Sequence, residues 1–196
     1  MGGPSAERDV SLNSGRTVVR ELAQSYRVKP VQLLPAGRWD APQGCVQDAL
    51  PVDPRNCFTG EGLPSTRAVE RLLEEGVDVV FNALHGPMGE DGTVQGLLEL
   101  AGVPYVGAGV AAAAVGMDKE LARAVFSAAG LSQTRFVVIR RSNWRENPNL
   151  VVQEVEQDFE YPLFVKPVNL GSSVGISKAH DRDEMIKGID TAAVYA

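Results

Sequence analysis

The stretch from Phe164 to Gly175 combines a lysine with a loop rich in glycine and serine, which is a combination that suits phosphate. Lys166 follows an apolar run, and residues 171 to 175 read Gly-Ser-Ser-Val-Gly. The backbone N–H groups and hydroxyls of such a loop can surround phosphate oxygens, and the lysine adds a positive charge. It is not a Walker A loop, because no Lys-Ser/Thr follows the second glycine. An ordinary hairpin turn with a solvated lysine fits the same residues equally well.

Three further side chains stand at positions where ligands collect. Lys119 opens a predicted helix, where the helix dipole disfavours a cation unless an anion is bound there or the side chain leads away. His85 follows a predicted parallel strand, with Glu90 and Asp91 close behind it. Glu7 lies in a glycine-bearing run before a helix, which suits an anion near the helix start. The alternatives are a solvated first-turn lysine, a structural histidine and a frayed, solvated terminus.

A fourth motif, Gly107 to Ala112, matches the pattern G-x-G-x-x-A between a predicted strand and a predicted helix. That pattern is a dinucleotide-binding fingerprint. The fingerprint also requires a second strand that ends in an acidic residue ~20 positions later. Here a predicted helix that ends at Gly130 occupies that place, so the dinucleotide hypothesis rests on the motif alone.

The elements that position these residues alternate between strand and helix. Apolar spacing and capping residues predict helices at Ser11–Tyr26, Ser65–Gly76, Thr93–Ala101, Asp118–Gly130 and Leu150–Gln157, and from Asp181. Strands are predicted at Val28–Leu34, Val77–Leu84, Val103–Val106, Arg135–Arg141, Tyr161–Val168 and Val174–Lys178. The nearly continuous apolar run at 77–84 favours a parallel strand buried on both faces. Residues 35–65 hold five prolines and predict irregular surface chain without core, and 142–149 predicts a polar loop.

Composition excludes several classes of protein. The 196 residues are 44% hydrophobic and 22% charged, which is globular composition. The formal charge of -6, with 19 scattered basic residues, argues against a nucleic-acid partner. The most apolar stretch, Val103 to Met117, is interrupted by proline and glycine and is shorter than the ~20 residues of a spanning helix, so no membrane association is expected. The first residues lack the pattern of a secretory signal, which favours the cytoplasm.

Taken together, five motifs resemble the D-alanine:D-alanine ligases, ATP-grasp enzymes of peptidoglycan synthesis. In chain order the motifs are Gly2–Gly15, Leu84–Gly96, Pro104–Gly109, Met117–Lys119 and Val165–Gly175. They occur in the family's order and cover nearly the whole chain. The resemblance implies a Rossmann-like N-terminal domain with a parallel sheet over residues 1–116. It also implies the first part of an α+β ATP-grasp domain over residues 117–196.

The resemblance also implies a reaction and a set of site residues. In the family, ATP phosphorylates the carboxylate of one D-alanine. The amine of a second D-alanine then attacks the acylphosphate and gives D-alanyl-D-alanine, ADP and phosphate. Carried over by motif, the residues that bind ATP are Lys119, Lys166, Gly171, Ser172, Ser173 and Gly175. The catalytic residues are Glu7, His85 and Ser172, of which Glu7 and His85 help to hold the first D-alanine.

Two departures from the family pattern concern the ends of the sequence. In the family a hydrophobic strand precedes the Gly-Gly motif, whereas Met1 stands directly before Gly2 here. The family also continues past the position of Ala196, through the magnesium ligands and the segment that holds the second D-alanine. The resemblance therefore implies ATP and Mg²⁺ as cofactors and a homodimer for full-length members, with no metal site in these residues.

From these departures we expect a chain that is truncated at both ends, marginally soluble and inactive alone. Without the metal carboxylates, phosphoryl transfer loses electrostatic stabilisation. The alternative is a non-catalytic module that binds nucleotide or a full-length ligase. An in-frame apolar run upstream of Met1 would favour truncation over that module.

Overall fold

The computed structural model describes residues 1–41 and 57–195, and the chain divides into two compact units, Met1–Ala114 and Val115–Ala196. The boundary falls inside one helix, Val110–Met117. Among the described residues, no helix combines the length and the apolar character needed to cross a membrane.

The first unit is an α/β unit with a parallel strand pair. Its elements are α1 (Arg8–Leu22), β1 (Gln32–Leu33), β2 (Trp39–Asp40), α2 (Ser65–Glu74), β3 (Val80–Phe81), α3 (Thr93–Leu100), β4 (Tyr105–Val106) and the start of α4 (Val110–Met117). Strands β3 and β4 are parallel with Val80 opposite Tyr105, and α3 connects them, which makes a β-α-β unit. Strands β1 and β2 are antiparallel, and Gly2 forms a parallel bridge to Leu33. The predicted α/β class with parallel pairing is confirmed.

The core of the first unit includes residues from a segment that the sequence predicted to be irregular surface chain. Trp39 is 7% exposed and Ala41 2% exposed, and both belong to the cluster around Leu98. The backbone of Trp39 exchanges two hydrogen bonds of 2.8 Å with Leu63, so its polar groups are satisfied inside. The expectation of no core over residues 35–65 is therefore wrong for 39–41. Prolines indicate irregular backbone, but they do not decide where a large aromatic side chain is buried; residues 42–56 lie outside the described part.

The predicted strand at residues 77–84 is shorter and more exposed than expected. Its paired part is Val80–Phe81, and in the described residues that strand pairs with β4 on one side. Because side chains alternate along a strand, Val80 packs against the core while Val79 and Phe81 point the other way. Val79 is 51% exposed and Phe81 47% exposed. The prediction of burial on both faces is wrong.

The second unit contains helices packed on an antiparallel strand pair. Its elements after α4 are α5 (Lys119–Ala128), α6 (Arg141–Glu146), α7 (Pro148–Asp158), β5 (Leu163–Val165), β6 (Ser177–Ala179) and α8 (Arg182–Ala193). Phe164 of β5 lies opposite Lys178 of β6. The side chain of Asp118 accepts the N–H groups of Glu120 and Leu121 at the start of α5, which confirms that predicted helix start.

Residues 131–140 are neither helix nor strand, so the predicted strand Arg135–Arg141 is wrong. Side chains hold this extended segment against α5 instead. The Arg123 guanidinium donates to the Thr134 carbonyl at 3.0 Å and lies over the Phe136 ring at 4.6 Å. β-Branched residues favour a strand, but the strand forms only when a neighbouring backbone supplies hydrogen bonds.

The predicted polar loop over 142–149 is also wrong, because α6 and the first turn of α7 occupy it. One aromatic residue explains the difference. Trp144 is 8% exposed, and its indole N–H donates to Asp190 Oδ1 at 2.8 Å. Burial of a tryptophan removes a large apolar area from water, and its N–H then needs a hydrogen-bond partner, which Asp190 supplies.

We expect Leu98→Ala to lower the free energy of unfolding of the first unit by ~2–5 kcal/mol, because it leaves a cavity. Leu98 is 0% exposed, whereas Leu100 on the same helix is 92% exposed. The matched Leu100→Ala variant should change stability by less than ~0.5 kcal/mol. Urea titration followed by Trp39 fluorescence in a Trp144→Phe background measures the first unit. Equal losses in the two variants would contradict the core described here.

Candidate functional site

In the first unit, three side chains whose types are able to bind a cation converge. A carboxylate oxygen of Glu7, a ring nitrogen of His85 and a carboxylate oxygen of Glu90 lie within 4.8 Å of one another. Glu7 is 1% exposed, His85 is partly buried and Glu90 is exposed, so the cluster extends from the interior to the surface. We call these residues the acidic cluster. The sequence predicted Glu7 and His85 as site residues and left Glu90 unassigned, although its position five residues after His85 was a signal.

Serine hydroxyls tie the start of α1 to the chain that carries His85. The Glu7 N–H donates to Ser5 Oγ at 3.2 Å, and the Ser5 hydroxyl donates to the His85 carbonyl at 2.8 Å. The Ser11 hydroxyl donates to the Ala83 carbonyl at 2.6 Å and accepts the Gly2 N–H at 2.7 Å. The alternative of a frayed, solvated terminus is therefore wrong. The hydroxyls of serines on both sides of Glu7 in the sequence thus hold it beside residues 83–85.

Gly86 allows the His85 loop to approach the Glu7 carboxylate. Its φ of 75° is left-handed, and a Cβ there would lie 2.8 Å from Glu7 Oε1, so a larger residue would collide. The Gly86 N–H donates to Glu90 Oε2 at 2.7 Å. His85 Nε2 and Ser14 Oγ are 3.0 Å apart and share a hydrogen bond. His85 and Glu90 are thus both held by hydrogen bonds inside the first unit.

Two amides that sequence reasoning missed fix the rest of this loop. Asn82 Nδ2 and Gln95 Nε2 both donate to the Gly89 carbonyl, at 2.7 and 2.8 Å. Asp91 accepts N–H groups from Met88 and from Thr93. Partial burial alone would raise the pKa of Asp91, but these N–H bonds outweigh it and hold the pKa below its usual value.

The donor set of the acidic cluster suits a cation. Two carboxylates and an imidazole are ligands for a divalent metal ion, and they also pair with the ammonium group of an amino acid. The placement of the cluster just past the end of β3 agrees with the general rule for open α/β sheets, in which ligands bind at the carboxyl ends of strands.

In the second unit, Lys119 is bonded to backbone carbonyls rather than solvated. Its Nζ donates to the carbonyls of Val168, at 3.3 Å, and of Leu170. Its backbone N–H also donates to the Val168 carbonyl, at 3.1 Å. The side chain therefore leads away from the start of α5, which was one of the two explanations open for a lysine at that position. These bonds join residues 168–170 to the first turn of α5.

The loop from Gly171 to Gly175 has an uncommon backbone. Ser172 has a φ of 47° and Ser173 a φ of 61°, which are left-handed values for residues other than glycine. Such residues cost about 1–3 kcal/mol each and cluster at ligand-binding sites. Both serine side chains are exposed. In the described part of the chain, the N–H groups of these two serines have no acceptor, which leaves them available to an anion.

Gly175 and Lys166 complete this region. Gly175 has a φ of 68°, and a Cβ there would lie 2.8 Å from Pro167 Cγ, so the close approach of the loop requires glycine. Lys166 follows β5, is exposed, and holds its ammonium 5.7 Å from the centre of the Phe164 ring. We call residues 171–175 the serine loop. Lys166 lies at the start of the chain that leads into this loop, and Lys119 donates to carbonyls near the end of that chain.

Comparison with known proteins identifies the family. Residues 1–108 match the family model of the D-ala D-ala ligase N-terminus, and residues 125–196 match that of the D-ala D-ala ligase C-terminus. The D-alanine–D-alanine ligase of Bacillus velezensis is 39% identical over 203 residues, covering 99% of this chain and 57% of that protein. The corresponding ligase of Enterococcus gallinarum is 40% identical, covering 99% and 61%. The chain therefore spans less than two thirds of the length of these relatives.

Solved structures agree with the sequence matches. The D-alanine-D-alanine ligase from Coxiella burnetii superposes with a TM-score of 0.72 at 29% identity, covering 99% of this chain and 59% of that one. The VanG D-Ala:D-Ser ligase from Enterococcus faecalis gives a TM-score of 0.71 at 32% identity, covering 98% and 57%. Since the N-terminal family model alone matches more than half of the residues, the chain belongs to the D-alanine–D-alanine ligase family.

Proposed function

We propose that this chain supplies the site for the first D-alanine and part of the ATP site of an enzyme that joins two D-alanines. ATP phosphorylates the carboxylate of one D-alanine, and the amine of the second displaces the phosphate. The products are D-alanyl-D-alanine for peptidoglycan, ADP and phosphate. Membership of the family supports this proposal, and the acidic cluster is the observation that carries it.

The acidic cluster is suited to the ammonium group of the first D-alanine. Glu7 supplies a buried negative charge. Hydrogen bonds from an ammonium group to a carboxylate are stronger than those between neutral groups. His85 and Glu90 add a nitrogen and an oxygen within 4.8 Å of one another and of Glu7. Because the contacts of Ser5, Ser14 and Gly86 preset these groups, little ordering is needed when the amino acid binds.

The serine loop is suited to the phosphates of ATP. Ser172 and Ser173 present exposed hydroxyls and N–H groups, and Lys166 adds an exposed ammonium. Phosphoryl transfer depends on positioned donors and cations, which these residues supply. In this proposal Gly171 and Gly175 allow the loop backbone to come close to the phosphates, and Ser172 also belongs to the catalytic set.

Lys119 acts in this proposal at the base of the serine loop. Its bonds to the carbonyls of Val168 and Leu170 hold the chain that enters the loop, and an ATP phosphate would compete with those carbonyls for the ammonium. Mg²⁺ is the expected partner of the nucleotide and is assigned to no residue of this chain. A homodimer of the whole protein is part of the same proposal.

Lys166→Ala should weaken nucleotide binding by about tenfold, because it removes one charge-assisted contact with phosphate. Titration of the 196-residue chain with fluorescent N-methylanthraniloyl-ATP measures the affinity. Lys178→Ala, which removes an exposed lysine of β6, is the matched control and should leave the affinity unchanged. Equal effects of the two substitutions would mean that general charge, and not the serine loop, attracts the nucleotide.

Glu7→Gln should weaken D-alanine binding by at least about tenfold, since the ammonium loses a buried charged partner. Equilibrium dialysis with radiolabelled D-alanine measures this on the same chain. Glu70→Gln removes an exposed carboxylate of α2 in the same unit and is the control. Retention of D-alanine affinity in Glu7→Gln would refute the assignment of the acidic cluster.

The reaction itself is tested on the protein isolated from its own cells, after its intact mass has been recorded. D-Alanine should stimulate the release of ADP and phosphate, with D-alanyl-D-alanine detected by mass spectrometry. Glu7→Gln in that protein should lower kcat/KM for D-alanine by about 100-fold, which corresponds to the loss of one strong charged contact. ATP hydrolysis without dipeptide formation would contradict the proposed function.

A further inference from the structure

A cavity of about 470 Å³ opens in the second unit between α6, α7 and α8. Its volume lies within the range of about 300–1,000 Å³ that is typical of small-molecule sites. The apolar part of its lining includes Trp144, Val152 and Ile186. Trp144 and Val152 are 8% and 3% exposed, so this wall is part of the packed core. The cavity shares no residue with the acidic cluster or the serine loop.

Two arginines on one face of α6 line the same cavity. Arg141 and Arg145 are four positions apart, so they are neighbours along the helix, and both are exposed. Across residues 1–41 and 57–195, neither guanidinium has a hydrogen-bonding or ion-pair partner. Each presents planar N–H donors that match the geometry of a carboxylate. A wall of core side chains therefore meets two uncompensated positive charges.

One acidic residue, Asp190, also lines the cavity. Its Oδ1 accepts the indole N–H of Trp144 at 2.8 Å, so this carboxylate is engaged in holding the tryptophan. The two arginines and one aspartate leave the lining with a net positive charge. A neutral apolar molecule would use the wall alone, whereas an organic anion would use both the wall and the guanidinium groups.

We propose that this cavity binds small organic monocarboxylates that carry an aromatic or branched apolar group. The carboxylate pairs with Arg141 and Arg145, and the apolar group packs on Trp144, Val152 and Ile186. The site is separate from the residues assigned to D-alanine and ATP. D-Alanine in particular has a methyl group too small to cover this wall, and its ammonium is repelled by the arginines.

The test follows the indole N–H signal of Trp144 in ¹H–¹⁵N spectra of the ¹⁵N-labelled 196-residue chain. The sequence has two tryptophans, so a Trp39→Phe variant assigns the signal. The probe is 3-phenylpropionate, and 3-phenylpropan-1-ol is the neutral analogue with the same apolar group. We expect a saturable shift with the acid and an apparent Kd at least about fivefold weaker with the alcohol. Absence of a saturable shift, or equal affinities, would overturn the proposal.

Substitution of the arginines distinguishes this site from unspecific apolar binding. Arg141→Gln and Arg145→Gln should each weaken 3-phenylpropionate by about two- to fivefold and leave the alcohol unchanged, as expected for exposed charge pairs. Arg135→Gln, an exposed arginine of the same unit outside the cavity, is the control and should have no effect. Unchanged affinity in both cavity variants would overturn the assignment, even if a shift is seen.

Discussion

The burial of the Glu7 carboxylate at the start of α1 is the constraint on which the first unit depends. A carboxylate that is 1% exposed loses most of its hydration, and this loss is tolerated only where polar partners surround it. The hydroxyls of Ser5 and Ser11 hold residues 83–85 beside the start of α1 by donating to the carbonyls of His85 and Ala83. Left-handed Gly86 then lets the loop come close without a Cβ. The loop after β3 thus lies directly beside the buried carboxylate.

The second unit solves a similar problem with a positive charge. Lys119 sits at the start of α5, where the helix dipole is unfavourable to a cation, and carbonyls of residues 168 and 170 offset that charge. The same bonds hold the chain just before the serine loop. Ser172 and Ser173 can remain in left-handed backbone because their surroundings are held on both sides, by Lys119 before the loop and by the packing of Gly175 on Pro167 after it.

Local signals in the sequence predicted the helices better than the strands. Asp118 and Asp181 cap helices by bonds to nearby N–H groups, so a few residues contain the whole signal. The strand at 135–141 failed because pairing depends on distant backbone that composition does not reveal. Burial of Trp39 and Trp144 was missed for the same reason. Glu90 was visible in the motif. Asn82 and Gln95 both donate to the Gly89 carbonyl, a contact that no sequence motif indicates.

The charges of the two candidate sites match what the proposed reaction demands. A D-alanine zwitterion offers an ammonium group to the acidic cluster, and the same cluster repels its carboxylate, so the carboxylate is directed away from Glu7 and Glu90. In the proposed reaction that carboxylate is phosphorylated by ATP, and the negative charge of the ATP phosphates calls for cations and N–H donors. Lys166 and the serine loop supply donors of that kind. The two candidate sites therefore differ in the sign of the ligand charge that each one suits, an ammonium group at the acidic cluster and phosphate at the serine loop.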